Sequence, residues 1–288
     1  MDRSKRIGRL FAAPGLVTLA MVMGFPLVYG VLIAFSSFTL RHLQLAPFVG
    51  FDNFVAVFSD EYFRNSVWLT LKYSVATVTG EFLLGHGVAL MLQRVTRFKA
   101  IYFAILTIPM AMSPVAVGLI WHMLLQPNLG IVNEVLKTWG LQPVDFLGTG
   151  LSGFWTLVAI DIWQQVSFVI LILAAGLASL PKEPYEAAEV DGATELQQFW
   201  HITLPMLRPV GAIAIIIQLI NEFRTYDLVY VLTRGGPGIS TELLSFFAYK
   251  RAFLGLSTNE GAAASLVLLA MVLVLTYLFF RSLGRQDA

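Results

Sequence analysis

The chain has 288 residues, of which 57% are hydrophobic and only 13% are charged. Soluble domains carry about 25% charged residues, so this composition and a mean hydropathy of +0.73 indicate a surface that faces lipid. The net charge of +1 excludes the basic surplus of a nucleic-acid-binding domain, and the absence of cysteine excludes disulfides and thiolate metal sites. We therefore expect a membrane protein that contacts lipid and no nucleic acid.

Six apolar stretches are each long enough to cross a bilayer as a helix, which takes about 20 residues. In chain order they lie at 10–35, 67–92, 101–125, 154–180, 205–232 and 261–280. The first is longer than the apolar core of a signal peptide, so we expect an uncleaved span. Lipid offers the backbone no hydrogen-bond partner, and spans are therefore helical. The sequence predicts an all-α integral membrane fold of six transmembrane helices in a single domain over 1–288.

The lysines and arginines that flank these spans predict their orientation, because basic loops stay in the cytoplasm. With the N-terminus inside, the cytoplasmic side carries Arg3, Lys5, Arg6, Arg9, Arg94, Arg97, Lys99, Lys182, Arg208, Arg281 and Arg285. The outer side carries Arg41, Arg64, Lys137, Arg234, Lys250 and Arg251. The larger cytoplasmic set predicts that both termini and the loop at 182–204, between spans four and five, are cytoplasmic.

The loop at 182–204 carries helix signals of its own. Pro184 suits the first turn of a helix, and Gly192 suits a left-handed cap at the end of one. Thr194 followed by Gln197 has the pattern of a capping box that opens a second helix. These signals predict two short helices joined by a sharp turn.

Small and acidic residues in the same loop indicate what the two helices contact. Ala187 and Ala188 permit close approach by another surface. The acidic residues are Glu186, Glu189, Asp191 and Glu195. An amphipathic connector lying on the membrane is the alternative, but these carboxylates would face anionic lipid there. The pattern favours a protein partner.

The spacing of Glu186-Ala187-Ala188, Gly192 and the Ile-Thr-Leu-Pro of 202–205 resembles the EAA loop of permeases in ABC importers. Residues 50–54 (Gly-Phe-Asp-Asn-Phe) and 232–237 (Leu-Thr-Arg-Gly-Gly-Pro) resemble loops of the carbohydrate branch, which serves maltose, glycerol phosphate and polyols. The resemblance covers most of the chain.

The resemblance implies partners and a location. In that family the loop docks on a cytoplasmic ATPase, which implies that Glu186, Ala187, Ala188, Asp191 and Gly192 couple the chain to ATP hydrolysis. It also implies a second related permease, two ATPase subunits that bind ATP and Mg, and an external solute-binding protein. The location implied is the bacterial cytoplasmic (inner) membrane, and no cofactor is implied in this chain.

Polar residues within the fourth span indicate a solute site. A carboxylate at mid-membrane costs about 2.5–3.5 kcal/mol on insertion scales, so Asp161 requires a cavity or a partner. Gln164, Gln165 and Phe168 share its helix face by their spacing. Hydroxyl acceptors beside an aromatic ring are typical of a carbohydrate site, and by resemblance Asp161 and Gln165 fall where carbohydrate permeases contact sugar.

The fifth span carries a polar segment at 221–227, which the resemblance also places at the sugar. Arg224 could instead pair with Asp227, and all these charges could neutralise each other between helices; both alternatives stay open. The candidates for substrate binding are Asp161, Gln165, Glu222, Asn221, Arg224 and Tyr226. Arg224 also leaves room for a phosphorylated or sulfonated sugar beside neutral sugars and polyols.

Two further residues define the alternative function. Glu81 and His86 in the second span suit interhelical hydrogen bonds or a proton relay, and the latter would make the chain a proton-coupled secondary transporter of a polar solute. No P-loop, no serine-nucleophile motif and no metal-binding histidine spacing occurs, so we expect no catalytic chemistry and no metal site. The sequence thus predicts the permease subunit of an ATP-driven importer for a sugar or sugar derivative.

Overall fold

The computed structural model describes residues 3–40 and 47–283, which form helices joined by turns. The helices are α1 (Arg3–Leu19), α2 (Phe25–Ala34), α3 (Asp52–Ser59), α4 (Glu61–Arg94), α5 (Lys99–Ala111), α6 (Pro114–Leu124), α7 (Ile131–Thr138), α8 (Gly150–Ala178), α9 (Glu183–Val190), α10 (Glu195–Gln198), α11 (Leu204–Phe223), α12 (Asp227–Leu232), α13 (Leu244–Tyr249) and α14 (Thr258–Leu283). Turns of π-helix lie at Ala20–Gly24, Phe199–Thr203 and Lys250–Leu254. Arg41 and Arg285, which contributed to the predicted orientation, lie outside the described residues.

The membrane spans agree with the predicted fold class. Within the described residues, the helical stretches long and apolar enough to cross a bilayer are Phe11–Ala34, Glu61–Arg94, Gly150–Ala178, Glu195–Phe223 and Thr258–Arg281. The bent pair α5 and α6 passes the same test when the two helices are taken together, and it supplies the sixth span. The all-α fold with six spans is confirmed, and two of the spans differ from their predicted form.

The third span is broken in the middle. α5 and α6 meet at an angle of 91°, and Met112 and Ser113 between them have extended backbone. Pro114 explains the break, because proline has no amide hydrogen and disfavours helical backbone at the residue before it. The continuous helix expected over 101–125 is therefore two helices.

The fifth span begins and ends earlier than the predicted 205–232. α10, the π turn and α11 form one continuous helix, Glu195–Phe223, and the chain then leaves the helix for three residues before α12. The break leaves the carbonyl oxygen of Thr225 without a helical partner, and the hydroxyl of Ser245 donates to it at 2.5 Å. The break lies within the polar segment at 221–227, which interrupts the hydropathy of the predicted span.

The described residues belong to two compact units, Met1–Arg64 with Phe247–Leu269 and Asn65–Phe246 with Ala270–Ala288. In the smaller unit, Asn53 of the 50–54 motif is buried and its amide donates to the carbonyl oxygens of Ala34 and Ser36, each at 2.8 Å. Asn259 in turn donates to the side-chain oxygen of Asn53 at 2.7 Å. The motif therefore ties the ends of three helices together inside this unit.

The larger unit is organised around α8, whose buried side chains include Leu157 and Leu173. α4 packs closely on α8 because glycines face it. A Cβ atom built on Gly85 would lie 2.8 Å from a methyl carbon of Val169 and 3.0 Å from its Cβ, whereas one built on Gly87 meets nothing within 4 Å. The side chain of Val169 is stiff, so Gly85 is needed for the helix approach.

We expect the substitution Gly85→Ala to destabilise the purified complex by about 1–3 kcal/mol, the usual cost of overpacking a core. The matched control, Gly87→Ala on the same helix, gains helix propensity without a clash and should leave stability equal or slightly higher. Thermal unfolding of both variants checks this, and adding Val169→Ala should restore the stability of Gly85→Ala. Equal melting temperatures for the two alanine variants would contradict the tight contact.

Candidate functional site

A cavity of about 250 Å³ lies in the larger unit where α6, α8, α11 and α12 meet. Both helix breaks border it: Pro114 opens α6 beside the first break, and the residues between α11 and α12 form the second. At membrane depth, irregular backbone is tolerated only where protein buries it or where it lines a watery cavity. The two breaks and the cavity are therefore parts of one feature.

Five of the six predicted substrate-binding residues line this cavity, namely Asp161, Gln165, Asn221, Arg224 and Tyr226. Glu222 does not, because neighbouring helix positions differ by about 100° and Asn221 already faces the cavity. Glu222 is 1% exposed and lies behind the wall, against Asp161. Phe168 also falls outside the lining, since it lies two turns from Asp161 along α8.

Asp161 is held by a residue that the sequence did not single out. The hydroxyl of Tyr73, fully buried on α4, donates to the carboxylate of Asp161. Beside it, Gln164 donates its amide to the carbonyl oxygen of Met112 at 3.1 Å, which satisfies a group that the break after α5 leaves free. Tyr73 lies on another helix and Met112 lies in the break between α5 and α6, so no local pattern could have revealed either partner.

Arg224 and Asp227 both line the cavity but do not pair. In the described part of the chain no ion pair joins them, because the break after α11 separates the two residues that a continuous helix would have brought together. Thr225 and Leu228 complete this side of the cavity. The alternative in which Arg224 neutralises Asp227 is therefore not what the structure shows.

A chain of hydrogen bonds runs from the cavity wall to α4. Asn221 donates to the side-chain oxygen of Gln218 at 3.1 Å, and Gln218 donates to Glu81 at 2.8 Å. Glu81 is thus an interhelical hydrogen-bond acceptor, one of the two roles expected for it. His86 makes no hydrogen bond through either ring nitrogen in the described residues.

The second functional feature is a hairpin formed by α9 and α10. Gly192 follows α9 with φ of +75°, and the amide of Ala193 donates to the carbonyl oxygen of Ala188 at 2.9 Å. This is the Schellman arrangement that a left-handed glycine permits. Thr194 and Gln197 form both halves of a capping box at the start of α10. The predicted pair of short helices with a sharp turn is confirmed.

The hairpin has acidic, small and apolar residues on its surface, and two side-chain contacts join it to the rest of the larger unit. Glu186, Ala187, Asp191 and Gly192 are exposed and Ala188 is half-buried. Val190 and Leu196 are 87% and 67% exposed, and apolar groups so placed among acidic ones are typical of a protein contact. One contact is between the hydroxyls of Tyr185 and Thr203, which lie 2.9 Å apart. The other is an ion pair between Arg94 and Glu195, with the charged atoms 2.5 Å apart.

We expect the ion pair of Arg94 with Glu195 to contribute less than about 1 kcal/mol to stability, because water screens exposed pairs. Their side chains are 78% and 82% exposed. A double-mutant cycle with Arg94→Gln and Glu195→Gln, read by thermal unfolding of the complex, measures the coupling energy. A coupling well above that limit would show that the pair is desolvated in the assembled protein.

The sequence of the chain matches known transport proteins over most of its length. Residues 82–288 match the family described as binding-protein-dependent transport system inner membrane component. The trehalose/maltose transport system permease protein MalF of Thermococcus litoralis is 34% identical over 284 residues, 98% of this chain and 95% of the relative. The sulfoquinovosyl glycerol transport system permease protein SmoG of Agrobacterium fabrum is 31% identical over 278 residues, 96% and 90% of the two chains. The sn-glycerol-3-phosphate permease protein UgpA of Escherichia coli is 32% identical over 235 residues, 81% and 79% of the two chains.

The fold of the chain also matches that of solved transporters. One chain of a bacterial ABC transporter involved in the import of the acidic polysaccharide alginate superimposes with a TM-score of 0.85 at 25% identity, covering 98% of this chain and 96% of that one. A second structure of an alginate ABC transporter, in complex with an alginate pentasaccharide-bound periplasmic protein, matches with a TM-score of 0.82, also at 25% identity, and covers 96% of this chain and 93% of that one. The chain therefore belongs to the binding-protein-dependent transport system inner membrane components, and it is a multi-pass permease subunit of an ABC importer.

Proposed function

We propose that the cavity between the two helix breaks is the passage for a sugar or a sugar derivative. The observation that carries this proposal is the convergence of Asp161, Gln165, Asn221 and Arg224 on one cavity. Carboxylate and amide oxygens accept hydrogen bonds from hydroxyl groups, while the amides and the guanidinium donate to ring and hydroxyl oxygens. A polyhydroxylated solute satisfies both kinds of group at once.

The relatives support the same class of solute. Their names mention trehalose, maltose, sulfoquinovosyl glycerol and sn-glycerol-3-phosphate, and the solved transporters are described with alginate. Arg224 forms no ion pair with Asp227 and faces the cavity, so a sulfonate, phosphate or uronate group on the solute would have a bidentate partner there. We infer that the solute is a sugar, and both neutral and anionic sugars are candidates.

The rest of the assembly follows from the hairpin and from the family. We infer that the hairpin docks on a cytoplasmic ATPase through Glu186, Ala187, Ala188, Asp191 and Gly192. Two such ATPase subunits would bind and hydrolyse ATP with Mg, a second related permease would complete the membrane part, and an external solute-binding protein would deliver the sugar. Both termini of this chain would then lie in the cytoplasm, as the placement of lysine and arginine predicts. An ATP-driven cycle leaves no task for the proton relay considered for Glu81 and His86.

Uptake into proteoliposomes tests the proposed solute class. The complete complex, reconstituted with its binding protein, is offered labelled maltose, trehalose, sulfoquinovosyl glycerol, glycerol 3-phosphate and alginate oligosaccharides, with the amino acid histidine as the control solute. We expect uptake of at least one sugar that requires ATP inside the vesicle and stops without it. Uptake of histidine together with exclusion of every sugar would contradict the proposal.

A further inference from the structure

A second cavity, of about 260 Å³, lies in the larger unit and shares no lining residue with the solute cavity. Its walls are almost entirely apolar and include Phe82, Leu173, Leu207 and Ile215. Two polar side chains also line it, His86 from α4 and Arg208 from α11. Neither residue lines the solute cavity or lies on the hairpin surface, so this second cavity would bind a molecule other than the transported solute.

His86 is the first indication of what that occupant offers. The residue is only 8% exposed, and neither ring nitrogen has a hydrogen-bond partner in the described residues. The ring is held between Phe82 and Phe199, whose ring centres lie 5.6 and 5.7 Å away. Buried polar groups are normally hydrogen-bonded, because leaving one unpaired is unfavourable. An oxygen atom of a bound molecule would satisfy the imidazole.

Arg208 is the second indication, because it places a positive charge at the cavity. Its side chain is exposed, no ion pair involves it within the described part of the chain, and no residue that lines the cavity is acidic. Among the residues that the structure describes, the site therefore has a cation with no counter-ion. An occupant with a negative group at this position complements it.

The position of the cavity along α11 indicates the class of molecule. Leu204, the first residue of α11 after the π turn that follows the hairpin, also lines it, and Ile215 lies about 16 Å further along the helix at 1.5 Å per residue. The cavity thus extends from the level of the hairpin, where lipid headgroups lie, into the apolar part of the span. A cation, an imidazole without a hydrogen-bond partner and an apolar wall that runs into the span match the phosphate, the ester oxygens and the acyl chain of a phospholipid.

We propose that this cavity binds one anionic phospholipid, with its phosphate on Arg208, an ester oxygen accepting a hydrogen bond from His86, and an acyl chain beside Leu173, Leu207 and Ile215. Basic positions between membrane helices on the cytoplasmic side are known to hold anionic headgroups. The proposal goes beyond the solute path: the site would take lipid from the surrounding leaflet whichever sugar the permease carries.

Native mass spectrometry of the delipidated complex, titrated with dioleoyl phosphatidylglycerol or dioleoyl phosphatidylcholine, tests the proposal. We expect the wild type to retain one phosphatidylglycerol at this site and to bind it at least about tenfold more tightly than phosphatidylcholine. Arg208→Gln should remove the preference for the anionic lipid. His86→Leu should weaken its binding, because the hydrogen bond is lost.

Two further variants distinguish lipid held in this cavity from lipid or phosphate held elsewhere on the complex. Arg97→Gln removes an exposed basic residue that does not line the cavity, and it should bind phosphatidylglycerol as the wild type does. Ile215→Trp keeps both polar groups but fills the tail position, and it should lose the lipid, while a free phosphate would still bind. Arg208 is exposed, so Arg208→Gln should assemble and its lipid binding can be measured even if a variant of a core residue fails to assemble. Wild-type lipid binding by Arg208→Gln or by Ile215→Trp, or equal losses in Arg97→Gln and Arg208→Gln, would overturn the proposal.

Discussion

The variant Gly192→Asp should lose at least about tenfold in the rate of solute uptake while the complex still hydrolyses ATP. Gly192 has φ of +75°, and a residue with a Cβ atom pays about 1–2 kcal/mol to adopt that conformation. The new carboxylate also joins a surface that already carries Glu186, Glu189 and Asp191. The turn between α9 and α10 should therefore change shape, and closure of the ATPase should no longer reach α11. Uptake and ATP hydrolysis, measured in the same proteoliposomes, check the expected uncoupling.

The chain offers a matched control for this experiment. Gly140 has φ of +74°, and like Gly192 it has no atom within 4 Å of the position where a Cβ would be. Gly140→Asp places the same strain and charge after α7, away from the hairpin, and it should leave uptake near the wild-type rate. Gly192→Asn should have an intermediate effect, because asparagine tolerates left-handed backbone. Wild-type uptake by Gly192→Asp would remove the hairpin from the coupling mechanism.

The variant Asp161→Ala should lower the uptake rate at limiting solute by about 10- to 100-fold while the complex still assembles. Hydrogen bonds to a charged acceptor contribute about 1.5–3 kcal/mol, which corresponds to that factor. Asp161 lines the solute cavity, and its carboxylate is held in place by Tyr73. Uptake kinetics at several solute concentrations, with the amount of assembled complex measured by size-exclusion chromatography, check the expectation.

Two comparisons make the result for Asp161 specific. Asp161→Asn keeps the shape and one acceptor oxygen, so its loss should be smaller than that of the alanine variant. Asp145→Ala removes an exposed carboxylate that lies outside the cavity and should leave uptake unchanged. Unaltered kinetics in Asp161→Ala would exclude Asp161 from the solute site.

The parts of this protein that follow from local chemistry could be predicted from its sequence. The turn at Gly192, the proline in the first turn of α9 and the capping box at Thr194 each depend on residues a few positions apart, and all three are present. The shared face of Asp161 and Gln165 likewise follows from helical spacing alone.

The helix breaks do not follow from hydropathy alone. Hydropathy averages over about 20 residues, so the spans predicted at 101–125 and 205–232 run through both breaks, although Pro114 and the polar segment at 221–227 mark them locally. The break after Phe223 also changes the site, because it separates Arg224 from Asp227. Irregular backbone of this kind depends on distant partners such as Ser245.

Contacts between distant helices could not be predicted at all. Tyr73 and Asp161 are 88 positions apart, and Gln218 and Glu81 are 137 apart. Each residue by itself suggests only that a polar group in a span requires a partner. The identity of that partner depends on how α4, α8 and α11 pack, which a single sequence does not specify.

Single-cysteine cross-linking tests most directly whether the hairpin is the contact with the ATPase. The chain contains no cysteine, so Ala187→Cys on α9 and Thr138→Cys on α7 each introduce a unique thiol at an exposed position. In the intact complex, we expect the thiol at 187 to cross-link to an ATPase subunit and to be shielded from a membrane-impermeant maleimide added outside the cell. The thiol at 138 should react with that maleimide and form no such cross-link. Labelling of position 187 from outside, with no cross-link to the ATPase, would contradict docking of the hairpin on a cytoplasmic ATPase.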